Sequence, residues 1–276
     1  ISGVDNGITL GPDGNPLFVA CKNNTFEDNF IGTDSTGLIK IGNTSDGIFL
    51  GAGAQQNVIG PRNVLSGMAS SGVELLDPTA TGNIIFGNII GLNMKGTAAI
   101  GNTGPGVLIA NGAANNMVGG PYGGIYPGNV ISGNARGGVS IGTDLFPAAA
   151  NNNHVEGNLI GASSDQSETL GTQMVGVNVQ NQSTGNIIRR NVIVGQTLHG
   201  ITISNSTANG IYGNWIGVTS TGNKFANANY GVYLDNSSNN IVQLSAANVG
   251  PGTERNIFGE NLKGSVLEFG SSSNND

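Results

Sequence analysis

Charged residues are scarce in this sequence and cysteine is nearly absent, and each shortage excludes a class of protein. Cys21 is the single cysteine, so no disulfide can form within the chain. Ten lysines and arginines stand against seventeen aspartates and glutamates, for a net charge of −7. A nucleic-acid groove needs clustered basic residues to neutralise phosphates, so this balance argues against DNA or RNA as a partner.

Long apolar runs are missing as well. No segment approaches the roughly 20 apolar residues of a membrane helix, so the sequence predicts no membrane span. The chain begins at Ile1 rather than Met, close to a strand-like stretch, and we expect it to be a mature or excised piece of a longer protein. No linker interrupts the pattern described next, which predicts one continuous domain over residues 1–276.

Glycine is abundant, with 47 copies, and it falls in register with aliphatic residues. In seven clean copies a glycine is followed by an aliphatic residue, a variable residue and another aliphatic residue. These copies begin at Gly47, Gly72, Gly106, Gly138, Gly176, Gly200 and Gly231. Gly7 looks like one more copy, and a degenerate copy follows Gly264. The period of two predicts a short strand with one buried face in each copy, and the repeat of 24 to 38 residues predicts stacked coils.

Asparagine marks two further positions in each repeat. The first asparagine is followed two residues later by an apolar residue in all eight copies, which are Asn24, Asn57, Asn83, Asn116, Asn153, Asn186, Asn209 and Asn240. The second asparagine begins another apolar pair and recurs at Asn29, Asn63, Asn88, Asn129, Asn158, Asn191, Asn214 and Asn256. Asparagine can both donate and accept hydrogen bonds along a stack, so we expect asparagine ladders at the corners.

The spacing between these positions alternates along the chain. From the second asparagine to the next glycine it is 17 or 18 residues in one coil and 8 or 9 in the following one, so every second coil carries an extra loop. Three strands per coil with aliphatic columns describe an all-β, single-stranded parallel β-helix of about eight to nine coils. Strands of successive coils would pair at about 4.8 Å, and each coil would contact only its neighbours.

The motifs Asn129-Val130-Ile131-Ser132-Gly133-Asn134 and Thr33-Asp34-Ser35-Thr36-Gly37 make the resemblance more specific. Together with the glycine strands, they resemble the right-handed parallel β-helix repeat proteins of bacterial secreted and cell-surface polypeptides, the pectate-lyase-like superfold. The resemblance covers about residues 23–270 and implies a right-handed helix and an extracellular or cell-surface location. The same architecture carries polysaccharide lyases, glycoside hydrolases, phage tailspikes and adhesins, so it does not select a function.

Catalysis by carboxyl groups would require acids that converge on one face. The outward column after the first asparagine contains Glu27 and Glu156, which are four coils and about 19 Å apart. The outward column of the glycine strands contains one acid, Glu74. The columns therefore predict no pair of carboxyl groups on either face.

The nearest approach to a catalytic constellation lies around Glu156. His154 is two residues away and points to the same side, and Arg189 falls one coil above Glu156. An acid and a base could therefore meet, which makes His154, Glu156 and Arg189 the catalytic candidates. The alternative is a solvated ion pair between Glu156 and Arg189, worth about 0 to 1 kcal/mol.

A sparse basic stripe is the leading candidate for glycan binding. Arg62, Arg190 and Arg255 each precede the second asparagine of a short coil, and a loop that contains Tyr122 and Tyr126 projects beside this corner. Loops on rigid scaffolds often carry binding residues, so these five residues form the predicted binding surface. The alternatives are that the guanidinium groups satisfy corner carbonyls and that the tyrosines pack onto the rod.

The regular coils, low charge and missing carboxyl pair favour a non-enzymatic extracellular stalk or adhesion module, with no metal or other cofactor. The alternative is a polysaccharide lyase or glycoside hydrolase, or a tailspike-like glycan-binding protein. The expected partner is an extracellular or cell-surface polysaccharide. Unpaired strand edges at the ends of the coil stack also predict end-to-end self-association.

Overall fold

The chain winds into a parallel β-helix. The computed structural model describes residues 1–11, 21–120, 128–170, 173–243 and 255–276. In this part of the chain every regular element is a strand, and the named strands pair only in parallel, forming three sheets of nine, eight and eight strands. The all-β class, the three strands per coil and the eight to nine coils are therefore confirmed. None of the described residues forms a helix with the length and apolarity that a bilayer crossing requires.

Sheet 1 consists of the glycine strands. Numbered in chain order along the whole molecule, its nine strands are β1 (Ile8–Leu10), β4 (Ile48–Leu50), β7 (Val73–Leu76), β10 (Pro105–Ala110), β13 (Gly137–Ile141), β16 (Val177–Val179), β19 (Ile201–Ser204), β22 (Tyr230–Asp235) and β25 (Gly264–Phe269). Each strand pairs with the strand of the next coil, so the order in the sheet follows the order in the chain.

Sheets 2 and 3 consist of the segments that follow the two asparagine signatures. Sheet 2 contains β2 (Thr25–Phe26), β5 (Val58–Ile59), β8 (Ile84–Ile85), β11 (Met117–Gly119), β14 (His154–Glu156), β17 (Ile187–Arg189), β20 (Gly210–Tyr212) and β23 (Ile241–Val242). Sheet 3 contains β3 (Phe30–Ile31), β6 (Val64–Leu65), β9 (Ile89–Ile90), β12 (Val130–Ile131), β15 (Leu159–Ile160), β18 (Val192–Ile193), β21 (Trp215–Ile216) and β24 (Ile257–Phe258).

The core is a set of aliphatic columns inside the coils. In sheet 1, for example, Val73, Val107 and Val139 lie in direct register in successive coils, and all three are fully buried. Burial of such a side chain contributes about 1.5 to 3 kcal/mol relative to exposure, and β-branched residues suit the pleated surface. Stacked columns of this kind hold the coils in one register, because a slip by one residue would turn the apolar residues outward.

The recurring glycine is required by a close approach between coils. A Cβ atom at Gly72 would lie 2.7 Å from the carbonyl oxygen of Gly106 in the next coil and 2.7 Å from a methyl group of Ile90 in sheet 3. Larger residues would therefore push sheet 1 away from its neighbour at this bend. The glycine column thus reflects space between coils rather than an unusual backbone conformation.

The two asparagine columns form the predicted ladders. The side chain of Asn83, for example, accepts both the main-chain and the side-chain N–H of Asn57, each at 3.0 Å, and donates to the carbonyl oxygen of Ala54 at 2.9 Å. The same pattern repeats at Asn88, which donates to Asn129 at 3.0 Å and to Ile59 at 2.9 Å. Each buried amide therefore satisfies main-chain groups that the corner would otherwise leave unpaired.

A third ladder, which the sequence analysis missed, precedes sheet 1. Its members are Asn102, Asn134, Gln173, Gln196, Asn227 and Asn261. The equivalent slot one coil before Asn102 is occupied by Met68, and Asn43 lies one coil before Met68. Among the described residues the side-chain nitrogen of Asn43 has no hydrogen-bond partner, because Met68 offers it no oxygen.

Candidate functional site

Glu156, a catalytic candidate from the sequence, lies on β14 of sheet 2 with its side chain fully buried. Its register partner is Arg189 of the next coil, as the column alignment predicts. The Nε atom of Arg189 is 2.8 Å from one carboxylate oxygen, and a terminal nitrogen of Arg190 is 3.2 Å from the other. Two guanidinium groups thus hold one carboxylate and link two coils.

His154 lies on the same strand as Glu156 and is half-buried. Burial lowers the pKa of His154, the nearby charge of Arg189 lowers it further, and the charge of Glu156 opposes both effects. The histidine is therefore neutral at pH 7. With both oxygens of Glu156 engaged, this cluster has the character of an internal ion-pair network, and a catalytic role for His154, Glu156 and Arg189 stays a prediction.

Arg62 and Arg190 of the basic stripe contact carboxylates. Arg62 forms an exposed two-bonded ion pair with Asp28 of the preceding coil, which lowers the pKa of that carboxyl. Arg190 contacts Glu156 of its own preceding coil. Both arginines have a left-handed backbone, with φ of 65° and 55°, in a corner slot that glycine occupies in other coils. Much of the stripe's charge is therefore balanced locally.

The remaining residues of the predicted binding surface are not brought into this arrangement. Arg255 is exposed, and no contact of its side chain is shown. Tyr122 and Tyr126 lie outside the described residues. Binding of a glycan at this corner stays a prediction.

A different feature emerges on the outer face of sheet 1, where a groove of about 740 Å³ runs along four coils. Its floor is one register column, in which Glu74, Leu108, Ser140 and Asn178 follow one another. One wall comes from residues that precede the glycines. The other wall comes from residues 142–146, where a loop insertion brings Phe146 to the groove. We call this feature the sheet 1 groove.

Glu74 lies at one end of the floor and is paired with a second carboxyl group. Its side chain is nine-tenths buried, and Asp46 of the preceding coil is only 4% exposed. Burial raises the pKa of Glu74 to about 8, with further contributions from the charge of Asp46 and from a hydrogen bond between the two carboxyl groups. Glu74 is therefore mostly protonated at pH 7.

Hydrogen bonds at the bend hold the carboxylate of Asp46 in place behind Glu74. Its carboxylate accepts a hydrogen bond from the main-chain N–H of Ser71 at 2.8 Å and another from the hydroxyl of Ser45 at 3.3 Å. Asp46 does not line the groove, whereas Glu74 does. Glu74 is thus the group that can meet a ligand, and Asp46 lies behind it and influences its protonation.

The outward columns gave Glu74 as a lone acid, and they missed the buried carboxyl group of Asp46 behind it. The alignment compared only residues within the outward columns, where Glu74 is the single acid of sheet 1. Asp46 lies outside these columns because it precedes Gly47 at the bend. The buried Asp-Gly corner one coil away from an outward glutamate was the signal that could have revealed the pair.

The walls of the groove add one positive charge. Arg136 is exposed on the wall, two coils and about 10 Å along the helix axis from the coil of Glu74. Among the described residues that line the groove, Glu74 is the one carboxyl group and Arg136 the one cation. The remaining lining mixes hydroxyl and amide groups with apolar side chains, as expected of a binding cleft.

Comparisons with known proteins identify the fold. No family model and no curated protein matches the sequence. The periplasmic alginate epimerase AlgG is similar in structure, with a TM-score of 0.55 and 17% identity over 83% of this chain and 46% of AlgG. The A-module of the mannuronan C-5 epimerase AlgE4 from Azotobacter vinelandii has a TM-score of 0.59 and 15% identity over 92% of this chain and 58% of the module. The chain thus spans about half the length of these proteins, and they share its right-handed parallel β-helix fold.

These findings correct the interpretation of the chain as a non-enzymatic stalk or adhesion module. One ground for that interpretation was the absence of interacting acids, whereas Glu74 in the sheet 1 groove interacts with the buried Asp46 behind it. AlgG and the AlgE4 A-module are epimerases, so neither of these proteins is an example of a non-enzymatic stalk on this fold. The expectation of a secreted or surface protein agrees with the periplasmic location of AlgG without specifying a compartment.

Proposed function

We propose that the chain is a polysaccharide lyase that cleaves an acidic glycan by β-elimination in the sheet 1 groove. The observation that supports this proposal is the carboxyl group of Glu74, which faces the groove with a pKa raised to about 8. A carboxylate with such a pKa is a much stronger base than an ordinary glutamate, and a pKa near the working pH suits proton transfer.

Elimination is favoured over hydrolysis by the geometry of the carboxyl pair. Glycoside hydrolases place two carboxyl groups on either side of the scissile bond, about 5 to 9.5 Å apart. Glu74 and Asp46 are hydrogen-bonded to each other, and Asp46 does not line the groove, so a sugar cannot lie between them. A uronate elimination needs one base and one cation, and the described lining supplies Glu74 and Arg136.

The reaction begins with a uronate whose carboxylate is bound by the guanidinium group of Arg136. This contact withdraws charge from the sugar and makes its C5–H bond more acidic. Glu74 in its ionised form removes the C5 proton, and the electron pair forms a C4–C5 double bond as the C4–O bond breaks. The protonated Glu74 then delivers the same proton to the departing oxygen, which completes a syn elimination and regenerates the carboxylate.

Asp46 acts as a positioning residue in this scheme. Its negative charge disfavours ionisation of Glu74 and thereby increases the basicity of that carboxylate once it forms. The hydrogen bond from Ser71 holds Asp46 in place behind the groove. The partner implied by this chemistry is an acidic polysaccharide outside the cytoplasm.

The test is incubation of the protein with a panel of uronate polymers, with alginate first. We expect shortened polymer and a growing ultraviolet absorbance from unsaturated uronate ends. The Glu74→Gln variant should lose this activity, whereas Glu27→Gln, which replaces an exposed glutamate on the other side of the rod, should retain it. Reducing ends without the absorbance would indicate a hydrolase, and retention of polymer without shortening would indicate a glycan-binding protein. Either result would overturn the proposal.

A further inference from the structure

An aromatic cluster continues the line of the sheet 1 groove toward the C-terminal end. Beyond Asn178 the floor column proceeds through Thr202 to Tyr233 in the next two coils. The wall that contains Met174 is continued by Leu198, whose N–H donates to the carbonyl oxygen of Met174 at 2.9 Å. His199 follows immediately, so the aromatic side chains begin where the groove ends.

The rings in this cluster are stacked on one another. The ring of His199 lies 4.5 Å from that of Tyr233 and 5.9 Å from that of Tyr230, with an angle of 10° between the planes in both pairs. Tyr233 is stacked in turn on Phe269, 6.3 Å away. The first three rings are partly exposed and Phe269 is 58% exposed, so the cluster presents aromatic surface to solvent.

His199 contributes to this surface as a neutral ring. Burial lowers its pKa, and the charge of Lys263 lowers it further. Its Nδ1 atom accepts the main-chain N–H of Tyr230 at 3.4 Å, which orients the imidazole between the two coils. A neutral, oriented ring has an apolar face that can pack against other apolar groups.

We propose that His199, Tyr230 and Tyr233 form a remote sugar-binding subsite for the polymer that occupies the sheet 1 groove. The proposal rests on the function proposed above, because it assigns to the same substrate a second contact along the rod. Partly exposed tyrosines combine an apolar body with a polar tip, which suits a sugar ring with its C–H faces and hydroxyl edges. A sugar in this position would continue the floor column without a change of direction.

The distance between the subsite and Glu74 sets a minimum length for a substrate that contacts both. Five strand steps separate the coil of Glu74 from that of Tyr233, which corresponds to about 24 Å along the helix axis. A polymer aligned with the axis contacts both ends. A tetrasaccharide whose scissile bond lies at Glu74 also extends away from Tyr233, so it does not reach the aromatic rings.

The experiment compares Tyr233→Ala with the wild-type protein on a polymer and on a tetrasaccharide. We expect KM for the polymer to rise about threefold to tenfold, which corresponds to the value of one aromatic contact, while kcat and the tetrasaccharide kinetics stay unchanged. Tyr233→Phe should retain most of the affinity. Tyr212→Ala, which removes a half-exposed tyrosine from sheet 2, is the matched control and should leave KM unchanged. Thermal unfolding of each variant reports on folding.

Failure of this inference is distinguishable from failure of the proposed function. If the wild-type protein cleaves the polymer but Tyr233→Ala changes polymer and tetrasaccharide kinetics equally, or neither, the subsite is refuted and the lyase stands. If no polymer is cleaved, binding is measured instead of kinetics, as the retardation of the protein during electrophoresis in gels that contain each polymer. Retardation of the wild type that is lost in Tyr233→Ala supports the subsite on a glycan-binding protein, and equal mobility of the two in every gel overturns it.

Discussion

The carboxyl group of Glu74 is hydrogen-bonded to that of Asp46, although the two residues belong to different coils of the β-helix. Glu74 projects from β7 into the sheet 1 groove, and Asp46 lies at the bend before β4. Both are nearly inaccessible to solvent, so neither charge can be stabilised by water. The stack of coils has thus created a carboxyl group whose pKa is raised from the ordinary glutamate value of 4.5 to about 8.

The pH dependence of the reaction follows from the role given to Glu74. A base must be ionised to act, so kcat/KM should rise with pH and level off above about pH 8. The pH profile of polymer cleavage measures this directly. A rate that instead falls as pH rises through about 8 would assign Glu74 the role of a proton donor and would contradict the lyase scheme.

The Asp46→Asn variant removes the negative charge of Asp46 and keeps the shape of its side chain. The amide can keep the hydrogen bonds at the bend, but it removes the negative charge that disfavours ionisation of Glu74. The pKa of Glu74 should fall, so the rising limb of the pH profile should move toward acid. A profile that stays in place would show that burial alone sets the pKa of Glu74.

The same group makes the folded state sensitive to pH. Between the ordinary glutamate pKa of 4.5 and the raised value of about 8, the folded protein holds a proton that the unfolded chain releases. The free energy of unfolding should therefore decrease as pH rises through this range, by up to about 1.4 kcal/mol per pH unit from this one group. Glu74→Gln should flatten the dependence. Urea unfolding at a series of pH values, with Glu27→Gln as the control, measures the difference.

Loss of the buried ion-pair network should affect stability rather than catalysis. Glu156→Gln leaves Arg189 and Arg190 without the carboxylate that they share, and breaking a buried pair costs about 3 to 5 kcal/mol. Asp28→Asn breaks the exposed pair with Arg62, where solvent screens the charges, and should change stability little. Denaturant unfolding compares the two variants. A stable Glu156→Gln protein without polymer-cleaving activity would restore Glu156 as a catalytic residue and count against Glu74.

The fold was predictable because each coil repeats the same packing and hydrogen-bonding requirements. The glycine before each strand of sheet 1 and the asparagines at two corners recur at readable spacings, and both signals arise from contacts between neighbouring coils. The carboxyl pair was not predictable from the outward columns. Those columns align strand residues only, whereas the pair joins a residue at a bend to a strand residue of the next coil. The groove depends on residues 142–146, whose position in space no repeat pattern specifies.

The third ladder was missed for a related reason. Its members include both asparagine and glutamine, as at Asn134 and Gln173, and Met68 interrupts the series, so no single residue type marks the corner. The spacing to the next glycine is nevertheless always three or four residues. It is four, for example, from Asn102 to Gly106 and from Gln196 to Gly200. A search for any amide side chain at that spacing would have found it.

The interruption at Met68 leaves the asparagines on its two sides with different hydrogen bonding. Asn102 accepts the N–H of Met68 at 2.9 Å and donates to the carbonyl oxygen of Leu65 at 3.1 Å and to Asn134 at 2.8 Å. Asn102→Ala leaves these buried groups unpaired, each at a cost of about 1 to 3 kcal/mol, so we expect a loss of about 3 kcal/mol or more.

Asn43 occupies the equivalent position on the other side of Met68, but its side-chain nitrogen has no partner among the described residues. It accepts only a long hydrogen bond, 3.4 Å, from the N–H of Val4. Asn43→Ala should therefore cost about 1 kcal/mol or less, or even stabilise the protein, because it removes a buried amide that is already unsatisfied. Chemical denaturation of the two alanine variants side by side gives the comparison. Equal losses would mean that the hydrogen bonds of the ladder contribute little and that packing at the corner determines its stability.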